Sequence, residues 1–189
     1  MIQKIKEEKT LKPYVRYIIE DAGIEVGVDS KLTEDEYIGV KVDDYYNDLP
    51  ENPPKSVDYV VAVDCSCDAY VLYIIEMKNV NSPKHLIISD IHEKFYYTIE
   101  DFLKTRYKNI FLDDKIKYKD MKLFLVSDAY GLKGKYEKFE QYRKYLGRVN
   151  ERDTLKVDRS LGSRLFKFRN MVRKIEFDIP PNPVICKMC

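Results

Sequence analysis

The 189 residues are 44% hydrophobic and 34% charged, a globular balance, and a chain this long buries roughly 70% of its unfolded surface without needing a staple. No apolar run reaches the roughly 18 residues of a membrane-spanning helix, and the leading MIQKIKEEKTLKPY has no apolar stretch of signal length, so a cytoplasmic protein without a membrane is expected. The net charge of +1 and a pI near 7.6 exclude a protein that coats nucleic acid indiscriminately.

Taken in chain order, Leu11 to Ala22 has apolar residues at helical spacing and a stop at Gly23, which predicts a helix. Gly27 to Pro54 is acidic and broken by prolines, with a short strand at about Tyr37 to Val42. Val57 to Val80 carries the strongest strand signal: VDYVVAVD, a turn-like CSCDA, then YVLYIIEMKNV, together a hairpin with a loop of about five residues. Ser82-Pro83 opens a helix through about Arg106, its buried stripe formed by Ile88, Ile91, Phe95, Ile99 and Phe102. Asp113 to Asp120 reads as a charged loop and Met121 to Ser127 as a buried strand. Further helices are expected at Lys135 to Leu146 and after Ser160, where Leu161, Leu165, Phe168, Val172 and Ile175 share one face. A helix between two buried strands implies a crossover. The expected fold is therefore α/β, a central mixed sheet flanked by helices, within a single domain whose core spans about 11–130 and whose basic helical elaboration spans about 131–189.

The hairpin holds the chemistry. If Asp64 faces Tyr70, then Val60 faces Ile74 and Asp58 faces Glu76, while Glu76 and Lys78 share a face because strand side chains alternate. Directly opposed like charges destabilise a sheet, and a cation between the two carboxylates resolves that conflict. Hard oxygen ligands of this kind suit Mg²⁺, which keeps several waters and needs only one or two carboxylates. The chemistry such a trio supports is phosphodiester hydrolysis, with Lys78 orienting or deprotonating the attacking water, or offsetting charge on the phosphorane. Asp64 is a rival for the role of Asp58, but it sits at the turn end.

Asp58 followed eighteen residues later by Glu76-Met77-Lys78 at the end of a hydrophobic strand resembles the PD-(D/E)XK nuclease superfamily of restriction endonucleases and related enzymes. The next helix and the strand MKLFLVS continue that family's core order of helix, three strands, helix, strand, over roughly residues 11 to 130. The resemblance implies a restriction endonuclease-like core. Asp58, Glu76 and the Met77 carbonyl become metal ligands and Lys78 the catalytic lysine. Glu20 becomes an added acid from the first helix, with Asp21 as its substitute. It also implies Mg²⁺, with Mn²⁺ able to substitute, and a small type II restriction-type endonuclease cutting double-stranded DNA as a homodimer. Val57 stands where the family motif has proline. The competing class is a non-catalytic nucleic-acid or protein-binding module on the same fold.

The charge is unevenly spread. Pro13 to Asp58 holds twelve acidic and four basic residues, whereas Gly131 to Lys174 holds fourteen basic and five acidic. A polyanion facing the C-terminal third is one reading, with Lys133, Lys135, Arg164, Lys167, Arg169 and Arg173 as nucleic-acid contacts; mutual packing of the two regions is the other. Cys65-x-Cys67 and Cys186-x-x-Cys189 are two pairs that together could hold a structural Zn²⁺, against the simpler reading of free thiols. His85 and His92, seven residues apart, read as ordinary helix residues, with a phosphate contact from His85 as the minority reading. No phosphate loop, nucleophile elbow or dinucleotide fingerprint is present.

Overall fold

The computed structural model describes residues 1–50, 52–66, 69–133, 157 and 159–187. A short helix, α1 (Ile2–Glu7), tucks Ile2 and Ile5 into the core. The segment from Leu11 to Ala22, expected as a helix, instead makes one 3-10 turn at Lys12–Tyr14 and two strands, β1 (Val15–Arg16) and β2 (Ile19–Asp21). β2 pairs with β3 (Ile24–Val26) across Ala22-Gly23, whose φ angles are 49° and 78°. Two successive left-handed residues are what a tight two-residue hairpin requires. Gly23 thus closes a hairpin rather than a helix.

β4 (Tyr37–Lys41), α2 (Val42–Asn47), β5 (Tyr59–Asp64) and β6 (Ala69–Met77) follow. The three strands form an antiparallel meander in which Ala62 faces Leu72 and Val60 faces Ile74, the register expected from the symmetric loop. β6 is buried along its whole length, as a strand covered on both faces must be. After it, Ser82 caps a single 3-10 turn at Pro83–His85, and α3 (Ile88–Tyr97) starts later than expected because Leu86 and Ile87 are extended. From Thr98 to Arg106 the helix continues with π-type winding, the Tyr107 N–H reaching the Phe102 carbonyl five residues back. Ile91, Phe95, Ile99 and Phe102 are all buried, so the predicted stripe survives the change of winding.

After the short α4 (Lys108–Phe111), this crossover delivers β7 (Lys117–Val126) parallel to β6. The segment after Ser160, expected as a helix, is a hairpin: β8 (Leu165–Phe168) and β9 (Met171–Asp178), turned at Arg169-Asn170. The expected helix Lys135 to Leu146 lies outside the described residues. β9 runs parallel to β7, completing a seven-stranded mixed sheet in the order β1-β4-β5-β6-β7-β9-β8.

The α/β class, the mixed sheet and the crossover are as expected, but among the described residues the helices all pack against one face. Among the described residues, one core cluster joins α1, α2, α3, the π segment and α4 to the even-numbered residues of β5 and β6, from Val60 to Ile74. The second cluster, on the other face, joins their odd-numbered residues to the β2–β3 hairpin and Ile185 of the C-terminal tail. No helix among the described residues is long and apolar enough to cross a membrane.

Candidate metal centre

Tyr59 faces Ile75 at the end of the β5–β6 ladder, so Asp58 and Glu76 are the next opposed pair, on the helical face. Both are buried, at 4% and 0% exposure. The Met77 N–H donates to Asp58 Oδ2 at 2.5 Å, and the Asp58 carbonyl accepts from Val42 N–H at 2.8 Å. Glu76 Oε1 receives two ammonium groups, Lys78 at 2.8 Å and Lys94 at 2.7 Å. Its second oxygen, Oε2, is buried with no hydrogen-bond partner.

An unpartnered buried carboxylate oxygen is costly, and the two acids feel each other. Burial first, and the Glu76 charge second, push the Asp58 carboxyl up to about 8, against the pull of Lys94 and the Met77 N–H. Burial would lower the Lys78 ammonium, but the charge and hydrogen bond of Glu76 outweigh it and raise the group. The donor set fits a hard divalent cation: two opposed carboxylates, one with a free oxygen, in a buried site that raises the Asp58 carboxyl. No group of three or more His, Cys, Asp or Glu able to hold a metal occurs among the described residues. The centre therefore offers two side chains, a number suited to an ion that keeps its waters.

The backbone around the trio is braced. Val57 N–H donates to the Thr98 hydroxyl at 3.1 Å, Lys78 N–H donates to the Val126 carbonyl at 2.9 Å, and the Ser127 hydroxyl donates to the Lys78 carbonyl. Lys78 thus turns its backbone to β7 and Met77 turns its own to Asp58. Lys94, Thr98 and Ser127 were not singled out from sequence. The available signal for Lys94 is its place beside the buried stripe, between Ile91 and Phe95.

Other predicted residues do not join the centre. Glu20 is exposed on β2, across the sheet, where its carbonyl accepts from the Tyr59 hydroxyl at 2.9 Å. The helix that was to present it does not form. Asp21 pairs with Lys41 at 2.6 Å. Asp64 accepts from Ser66 N–H at 2.7 Å, at the turn end of β5 and about 20 Å along the strand from Asp58.

The basic residues are dispersed. Arg169 donates to the Ile116 and Asp113 carbonyls, Arg173 pairs with Asp120 at 2.6 Å, and Arg164 stacks over Tyr96 at 4.9 Å. Lys133 and Lys167 are exposed, and Lys135 lies outside the described residues. Instead of a basic helical face there is an edge hairpin with two of its arginines committed internally. Cys65 is disulfide-bonded, Cys186 is a free thiol, and Cys67 and Cys189 lie outside the described residues. No family model, curated protein or solved structure matches this chain.

Proposed function

We propose that this protein is a Mg²⁺-dependent nuclease of the PD-(D/E)XK type, with a restriction endonuclease-like core, that cleaves the phosphodiester backbone of DNA. The observation that carries the reading is the pairing of Asp58 and Glu76 on one buried face, with Glu76 Oε2 unpartnered and Lys78 beside it. The element order supports it: an antiparallel three-strand meander, a crossover helix, then a strand parallel to the third.

Asp58 and Glu76, with the Met77 carbonyl, would hold Mg²⁺ or Mn²⁺. When bound, the ion supplies polarisation of a phosphoryl oxygen and a more acidic water. Lys78, its ammonium 2.8 Å from Glu76, orients the attacking water and offsets charge on the phosphorane. Asp58 keeps its place through the Met77 N–H. A homodimer of restriction type would bring together the two centres that a double-strand cut needs.

Supercoiled plasmid incubated with the pure protein is expected to be nicked or linearised only with Mg²⁺. Lys78→Met should slow that reaction by about 100-fold or more. Absence of Mg²⁺-dependent cutting by the parent protein overturns the proposal. One observation favours a second reading, a non-catalytic nucleic-acid or protein-binding module: Glu76 already has two lysine partners. That module would bind without cutting and lose binding on substitution of Arg164 or Lys167.

A further inference from the structure

Lys78 and Lys94 both line a cavity of about 410 Å³ beside Glu76. Its other walls bring in His85, from the turn after β6, and Lys55, whose amine is already held by Asp90 and Glu93 at 3.1 and 2.7 Å. A further wall is the start of α3, through Ile87 and Asp90. That helix is ten residues long, and Ile87 at its N-cap gives no side-chain hydrogen bond. Its first N–H groups therefore have neither an intrahelical partner nor a cap, and the positive end of its dipole lies in the cavity wall.

The charge balance sharpens this. Ionised Asp58 and Glu76 are matched by Lys78 and Lys94, so a divalent cation on the carboxylates leaves two positive charges over. One phosphodiester at the cation takes up half of that surplus. Two ammonium groups, an imidazole and an uncapped helix start around one cavity suit a second phosphate.

We propose that this cavity holds a phosphate of the nucleic-acid strand adjacent to the one being cut, with Lys94 and His85 as its side-chain contacts and the first N–H groups of α3 behind them. The inference rests on the nuclease reading above. Its test is fluorescence anisotropy of a labelled 30-base-pair duplex between about 50 and 200 mM salt, with Ca²⁺ in place of Mg²⁺. Lys94→Gln should weaken binding about tenfold and reduce the salt slope by about 0.9, the share of one phosphate, and His85→Ala, which removes a hydrogen-bonding contact, should weaken binding by a similar factor. Lys94→Arg should restore the slope, and Lys55→Gln should leave it unchanged. Slopes unchanged by Lys94→Gln, with affinity unchanged by His85→Ala, overturn the inference. Plasmid cutting by the parent protein with those unchanged slopes leaves the nuclease standing without this subsite. Reduced slopes without cutting by any variant keep the phosphate site and remove the nuclease.

Discussion

Asp58 concentrates the tension of the centre. Its carboxyl is buried, opposed to Glu76, and held by one backbone N–H. Its folded pKa lies above its unfolded value, so between about pH 4 and about 8 the folded state binds the extra proton. The stability tied to that proton is full below the window and is lost as pH rises through it. Asp58→Asn keeps an acceptor for the Met77 N–H and removes the charge. At pH 8 without divalent ions it should melt about 4 °C or more above the parent, with the gain shrinking toward pH 5. Added Mg²⁺ should raise the melting point of the parent only. A lower melting point for the variant at pH 8 would overturn this account. Val57 is instructive at the same scale. It stands where the resembling family has proline, and its N–H reaches the Thr98 hydroxyl at 3.1 Å, a bond proline has no donor to make. Asp58, Glu76 and Lys78 were legible because period-two alternation and a symmetric loop suffice to place them. Lys94 was not, because its approach to Glu76 depends on how α3 lies across the sheet.

At the scale of elements, two helices expected from periodicity became strands. Leu161, Leu165, Phe168, Val172 and Ile175 fit a helical stripe, yet Leu165 and Val172 are 65% and 46% exposed. The buried set is Phe166, Phe168, Ile175 and Phe177, a period-two pattern interrupted by a two-residue turn. Both periods fit the same letters, and pairing with β7 decided between them. The β2–β3 hairpin likewise depends on a neighbour. It lies so close to β4 that a Cβ on Gly39 would stand 2.5 Å from Ile19 Cδ1, and it would also stand 2.9 Å from the Arg16 carbonyl of the paired strand β1. Gly39→Ala should therefore destabilise the fold by about 1–3 kcal/mol in denaturant unfolding. Ile19→Val, which removes that Cδ1, should recover part of the loss in the double variant. A neutral Gly39→Ala would mean the hairpin does not press on β4 as described.

For the molecule as a whole, the sheet separates two unlike layers. Among the described residues, helices and the Asp58–Glu76 pair occupy one face, and the hairpin and C-terminal tail occupy the other. The tail is held by Gly27 N–H to the Pro181 carbonyl at 2.7 Å, by Ile185 N–H to the Gly27 carbonyl at 2.8 Å, and by the Tyr73 hydroxyl to the Cys186 carbonyl at 3.1 Å. Tyr73→Phe removes the hydroxyl that donates to the Cys186 carbonyl and accepts from the Cys186 N–H, together contributing about 1 kcal/mol, so amide exchange at Gly27, Asp29 and Ile185 should rise about fivefold. Cutting and Mg²⁺ response should be unchanged, because Tyr73 points away from Asp58 and Glu76. Equal exchange in parent and variant would show that the hydroxyl does not secure the tail.

Local pattern alone determined the β5–β6 hairpin, its register, the buried stripe of α3 and the parallel return to β7. Each rests on repeats of two or of three and four residues that neighbours reinforce. Only the tertiary structure decided the rest. It turned Leu11–Ala22 and the stretch after Ser160 into strands, left Glu20 across the sheet from the acids, and brought Lys94 onto Glu76. Those outcomes depend on which surface an ambiguous segment packs against, and that free energy comes from contacts far apart in the chain.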